Sequence, residues 1–255
     1  MIYRDWDLEL TGEHISINAI TANDDEEYGR LLFGELYDSL RKQIGDKKVP
    51  TGLQTILDHS SNDETHAIRL LPENKLIGWI TLQKGKEDYP DIGIYLTKEQ
   101  QNRGYGPEAI QLLCNYLHQS YGLQIVKVRI SAKNIQSQNA FAKVGAILDQ
   151  EIPDERYMRL LEEYPEHKMA DNFKMMVRYY HITLPIKEIL SIEHPDDETI
   201  KKSQEAYEKE EAQLIREIQL TELESLQRKI EEQKSTSPEE LRSYLENRIT
   251  ELRKH

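Results

Sequence analysis

Gln101-Asn102-Arg103-Gly104-Tyr105-Gly106 is the stretch on which the reading of this chain turns. Before it, residues 91–96 (Asp-Ile-Gly-Ile-Tyr-Leu) read as a strand; after it, residues 107–119 read as a helix. A loop that leaves a strand and opens a helix presents backbone N–H groups at the positive end of the helix dipole, a place suited to a diphosphate. Glycines at 104 and 106 remove side chains that would keep such a group at a distance. Arg103 adds a positive charge. A tight turn uses the same two glycines, so the loop alone leaves both readings open.

Outward from the loop, the apolar pattern lays out an α/β chain. Residues 15–20 form a first strand, and Thr21, Asn23 and Asp24 offer caps for a helix with Leu31, Leu32, Leu36 and Leu40 on one face. A second short helix is expected over 53–59. Residues 66–71 and 76–82 make an antiparallel hairpin across Pro72-Glu73-Asn74-Lys75. Residues 125–131 are a strand rich in β-branched residues. Residues 135–143 are a helix that ends near Gly145, 146–152 a strand, 154–164 a helix and 173–182 a last strand. This order implies a mixed sheet with helices on its faces.

The character changes after Pro185. Residues 196–234 contain neither glycine nor proline and are dense in Glu, Lys, Gln and Leu, as a long solvated helix requires. Ser237-Pro238-Glu239-Glu240 is a capping box with proline at the first helical position, opening a closing helix with Leu241, Leu245, Arg248 and Leu252. The tail therefore reads as a helical hairpin over 186–255. Its stripe of Tyr207, Leu214, Ile218, Leu223, Leu226 and Ile230 is not a strict heptad, and a second copy of the chain is the favoured partner for it.

Composition narrows the function. Of 255 residues, 38% are apolar and 31% charged, and the net charge is −13. That charge argues against a nucleic-acid or anionic-membrane target; it either attracts cationic amines or serves solubility alone. The single cysteine, Cys114, cannot form an internal disulfide and reads as a core thiol. The eight histidines show no metal-ligand spacing, so no metal is expected. With no signal-like start and no apolar run approaching about 20 residues, a soluble, cytoplasmic protein is expected.

A second motif follows the loop. Asn134-x-x-Ser137-x-x-x-Phe141-x-Lys143-x-Gly145-Ala146 comes after a helix and a strand. Together with Asp91-Ile92-Gly93 and Glu108-Ala109, the two segments resemble the GNAT acetyltransferase superfamily, and within it the branch of the ribosomal-protein-alanine and spermidine acetyltransferases. The motifs run from Asp91 to Ala146, and the looser likeness covers residues 1–185. The resemblance implies a mostly antiparallel mixed sheet and acetyl-CoA as donor, lying in a V-shaped opening between the strand at 91–96 and the strand at 125–131. The backbone of Ile94, Tyr95 and Leu96 would pair with pantetheine, and the N–H groups of Gln101, Asn102, Arg103, Gly104, Tyr105 and Gly106 would hold the diphosphate. Asn134 would bond to the pantetheine arm, with Ser137 and Phe141 beside it.

The chemistry sets its own demands. An amine of pKa near about 10 must lose a proton before it attacks, and Asp91 is the candidate base; a solvated strand-end carboxylate is the other reading. The oxyanion needs a donor, here a strand N–H. Where many relatives carry a tyrosine as acid for the leaving thiolate, this chain has Phe141, which has no proton to give. Ser137 is the substitute donor, or a helix-capping residue. Two functions follow. One is an N-acetyltransferase acting on a protein N-terminus, a polyamine or another small amine. The other is a non-catalytic acyl-CoA-binding or scaffold module working through its helical tail.

Overall fold

The computed structural model of the chain describes residues 8–33, 37, 41–42, 64–84, 89–163, 175–192 and 196–232. The helix expected at 53–59 and the closing helix after Pro238 lie outside them. The strands are β1 (Glu9–Thr11), β2 (Ile15–Ala19), β3 (Glu64–Leu70), β4 (Lys75–Lys84), β5 (Pro90–Leu96), β6 (Ile125–Ser131), β7 (Ile147–Pro153) and β8 (Met176–Thr183). The helices are α1 (Asp25–Phe33), α2 (Tyr105–Tyr121), α3 (Ile135–Ala142), α4 (Glu155–Glu163) and α5 (Asp197–Glu232). The eight strands form one sheet in the order β1-β2-β3-β4-β5-β6-β8-β7. From β1 to β5 every neighbour is antiparallel. β5 and β6 are parallel, joined by the α2 crossover. The mixed, mostly antiparallel sheet flanked by helices is the expected one.

Each chain segment forms its element for a local reason. α2 buries Gly106, Ala109, Ile110, Leu113, Cys114 and Leu117, the spacing of one helical face. It stops at Gly122, which takes the left-handed conformation at φ 69° and donates its N–H to the His118 carbonyl at 2.9 Å. Gly145 closes the turn after α3 in the same conformation, as expected. β1 was not foreseen. It is three residues long and is folded back onto β2 by a turn in which the Gly12 N–H reaches the Ile15 carbonyl at 2.8 Å.

The chain divides into two compact units: Met1–Ile130, Ser137–Gln150 and Arg178–His194 in one, Ser131–Gln136, Glu151–Val177 and Pro195–His255 in the other. In the first unit the main core includes Ile15, Ile17, Ile68, Ile80, Ile92 and Leu96 of the sheet with Ala109, Ile110 and Leu113 of α2. A smaller cluster of Ile20, Tyr28, Ala67 and Leu76, with Leu31 and Trp79 against it, packs α1. A register shift between Ile68 and Arg69 interrupts the β3–β4 ladder. The buried Arg69 reaches Asp24 Oδ1 at 2.6 Å and Asn18 Oδ1 at 2.9 Å. Asp24 Oδ2 in turn accepts from the Thr21 N–H at 2.7 Å, so one carboxylate ties the start of α1 to the sheet.

The second unit is organised by α5. Asp196 caps it, accepting from the Thr199 N–H at 2.8 Å, and Leu214 is fully buried with Met175, with Tyr157 and Ile218 against them. The Arg156 guanidinium bridges Asp154 (3.0 Å) and Glu211 (2.6 Å). Ser203 donates to the Lys133 carbonyl and accepts from the Ile135 N–H at 3.2 Å, while Lys133 Nζ meets the buried Glu210 at 2.9 Å. Leu214 and Ile218 of the apolar stripe are thus covered by the chain's own segments.

The Asp24–Arg69 pair is buried on both sides, so removing one partner leaves an uncompensated charge. Asp24→Ala is expected to cost about 3–5 kcal/mol of stability, read as a lower urea midpoint. A change below about 1 kcal/mol would show that solvent reaches the pair.

Candidate active site

β5 is treated differently along its two edges. On one side it pairs with β4 at every residue from Pro90 to Leu96. On the other, its ladder to β6 consists of one pair, Asp91 with Lys127. Beyond that pair the two parallel strands are not in register contact, and Ile94, Tyr95 and Leu96 lie along the part of β5 that β6 leaves. The turn that follows is anchored: the Thr97 N–H donates to the Ile77 carbonyl at 3.0 Å. The Gln101 side chain donates to the Leu96 carbonyl at 2.7 Å, and its own N–H reaches back to Lys98 at 3.4 Å. Gln101 therefore shapes the loop as much as it lines it.

Asn102 and Gly104 both adopt the left-handed conformation, at φ 60° and 89°. Asparagine tolerates this and glycine meets it without cost. Gly104 is the N-cap of α2 and offers no side chain to the first turn. Among the described residues a Cβ placed on Gly104 would find nothing within 4 Å. At Gly106 a Cβ would lie in ordinary contact with Leu96, Ala140 and Ile94, which makes that glycine a packing residue. Pro107, next in the helix, has no N–H. The N–H groups of Tyr105 and Gly106 precede the first intrahelical bond, Glu108 to Gly104, and Arg103 stands exposed beside them.

Glu108 anchors the start of α2. It accepts from the His14 N–H at 2.9 Å and meets His14 Nδ1 at 3.1 Å, fixing the first turn of α2 to the β1–β2 turn. A Cβ on Gly12 would strike the Glu108 carboxylate. The sequence signalled Glu108 only as part of a motif and His14 not at all, since the two are 94 residues apart. Gly78 was also missed. A Cβ there would run into the Tyr95 carbonyl oxygen, so glycine lets β4 and β5 close up beside the loop.

The remaining predicted residues fall as follows. Asp91 sits at the paired end of β5, opposite Gln83 on one side and Lys127 on the other. Ser137 is half-buried in α3. Phe141 is 2% exposed and belongs to the main core, so its ring reaches no solvent. Asn134 precedes α3 and its N–H bonds the Ser131 carbonyl at 3.0 Å; it belongs to the second unit, Ser137 and Phe141 to the first. Burial pushes the Cys114 thiol well above its ordinary range, as fits a core residue. Burial also lowers Lys143. Among the described residues no group of three or more His, Cys, Asp or Glu could hold a metal.

The acetyltransferase (GNAT) domain matches residues 19–147, about half the chain. The chain belongs to the GNAT acetyltransferase family. An acetyltransferase of the GNAT family from Bacillus anthracis is 18% identical, with a TM-score of 0.50 over 69% of this chain and 98% of its own. A structure from Vibrio cholerae described as a ribosomal-protein-serine acetyltransferase is 14% identical, with a TM-score of 0.52 over 71% and 100%. A GCN5-related N-acetyltransferase from Brucella melitensis is 14% identical, with a TM-score of 0.50 over 69% and 79%. At these identities the likeness is one of fold. No curated protein is significantly similar in sequence. GNAT acetyltransferases use acetyl-CoA and act on small-molecule or peptide amines.

The left-handed Gly104 gives a clean local test. Gly104→Ala adds a methyl group into open space, so only the backbone conformation opposes it, at about 1–2 kcal/mol. Thermal melts should show a small drop. No change at all would mean that residue 104 moves out of the left-handed region without penalty.

Proposed function

We propose that this chain moves an acetyl group from acetyl-CoA to a primary amine by direct attack in a ternary complex. The observation that carries the reading is the one-pair β5–β6 ladder running into the open, glycine-capped start of α2. The diphosphate lies at the N–H groups of residues 101–106, chiefly 102–106. From there pantetheine runs back along the free edge of Ile94, Tyr95 and Leu96. The five steps from Leu96 back to Asp91 span about 17 Å at roughly 3.3 Å each, so an extended arm brings the thioester toward the Asp91 end.

The amine nitrogen attacks the thioester carbonyl carbon. A β5 N–H holds the oxyanion. The C–S bond then breaks, and CoA leaves as the thiolate. The proton lost by the amine passes to Asp91, directly or through water. The thiolate takes a proton from Ser137 or from solvent; Phe141 supplies none. Asn134 bonds the pantetheine arm on the strength of its motif alone. In this reading residues 1–185 carry the chemistry and residues 186–255 are a helical extension. The 36-residue α5, about 54 Å long at 1.5 Å per residue, pairs with a second copy, for which the exposed Ile215 speaks. The protein acts in the cytoplasm; among the described residues no helix is long and apolar enough to cross a membrane.

The second reading, a non-catalytic acyl-CoA-binding scaffold, draws on Phe141. Release of free CoA from acetyl-CoA across a panel of primary amines separates the two: amine-dependent release supports transfer, and binding without release supports the scaffold. Gly104→Glu puts a negative side chain where the diphosphate would sit, and acetyl-CoA affinity by calorimetry should fall at least about tenfold. Unchanged affinity removes the loop from the donor site. Ser137→Ala should slow turnover more than Phe141→Leu does. Equal turnover of Ser137→Ala and wild type, both fully folded, removes Ser137 as the acid.

A further inference from the structure

The two faces of β5 differ. Ile92, Ile94 and Leu96 point into the main core, so Asp91, Gly93 and Tyr95 point to the opposite face. The β4 register places Trp79 beside Tyr95, Thr81 beside Gly93 and Gln83 beside Asp91. On that face Trp79 and Tyr95 stack, with ring centroids 4.2 Å apart and planes 20° apart. Tyr28 of α1 backs Trp79 at 5.4 Å. Tyr95, at the outer end of this row, is 38% exposed.

Between Tyr95 and Asp91 there is only Gly93. Among the described residues a Cβ there would meet only Thr81 Cβ, at 3.9 Å. Gly93 is not among the glycines with positive φ, so its backbone does not require glycine. A strand-interior glycine costs about 0.5–1 kcal/mol relative to alanine. What it leaves here is room, and a strand glycine without a conformational reason marks close approach by another group. The result is a shallow slot about 13 Å long at roughly 3.3 Å per residue, with an aromatic wall at one end and a carboxylate at the other.

We propose that this slot on the α1 face of β4 and β5 is the acceptor site, with Gly93, Trp79 and Tyr95 selecting an amine that carries a second cationic group on an aliphatic chain. The proposal rests on the acetyl-transfer reading above. The reacting amine lies over Gly93, within reach of Asp91. The second cationic group lies against the outward face of Tyr95, whose other face stacks on Trp79, and cation–π attraction holds it there. Burial, and after it the Glu99 carboxylate, raises the pKa of the Tyr95 hydroxyl, so this end of the slot carries no cation of its own to repel the second group. A neutral chain gains no cation–π attraction.

The test compares 1,6-diaminohexane with hexylamine on the full chain. By calorimetry on CoA-saturated protein, the diamine should bind at least about tenfold more tightly than the monoamine. Gly93→Val should weaken diamine binding at least about tenfold while acetyl-CoA affinity stays within about twofold. Trp79→Leu should remove the preference for the diamine, and serves as the second variant should Gly93→Val not fold. In turnover, KM for the diamine should rise in both variants. Equal binding of diamine and monoamine, or diamine binding unchanged in a folded Gly93→Val, overturns the slot. Diamine binding that is lost in Gly93→Val, without acetylation of any amine by wild type, upholds the slot and defeats the transfer reading instead.

Discussion

The pairing of Asp91 with Lys127 is the single rung by which β5 holds β6, and the proposed donor site depends on its being single. A longer ladder would use the backbone groups of Ile94 to Leu96 within the sheet and leave no edge for a ligand. No rung at all would separate the antiparallel strands β1–β5 from β6. The α2 crossover fits this arrangement, because a parallel neighbour needs a long connection. That connection begins at the point where β5 stops being covered. Strand edge and helix start therefore arise together from one topological step.

Much of this was legible in the sequence, because it lies in short, periodic segments. The strands at 66–71, 76–82, 91–96 and 125–131 were read from alternation and β-branched content, and each is found within two residues of its expected ends. α2 starts at Tyr105 instead of Pro107. Its N-cap is a glycine in the left-handed region, and the sequence rule looks for a Ser, Thr, Asp or Asn side chain. β1 escaped notice because three residues cannot show a period. The splay of β5 from β6 is invisible in principle, since it is a property of a ladder between segments 36 residues apart by Asp91 and Lys127.

Side chains divide in the same way. Glu108 was flagged by a motif, but its partner His14 depends on tertiary contact. Phe141 was read as a departure at the reaction centre, whereas its ring is core packing; a lone aromatic in a short helix gives no periodic signal to tell the two apart. Gly93 stood in the sequence only as the last residue of Asp91-Ile92-Gly93, and Trp79 carried no motif. Their relation is cross-strand register, set by a β4–β5 alignment that single-sequence reading does not supply.

The interleaving of the two units has a consequence for how the chain is made. The segment Ser131–Gln136 leaves the ribosome before residues 137–150, which belong to the other unit. Its partners Ser203 and Glu210 on α5 are synthesised some 70 residues later. Met175 must wait in the same way for Leu214. N-terminal segments generally fold first during synthesis, and here the first unit has all its segments once His194 is made. The second unit cannot close until most of α5 exists. During that interval Met175 has no Leu214 to cover it, and the nascent protein passes through a stage in which one unit can pack while the other holds open positions for residues not yet translated.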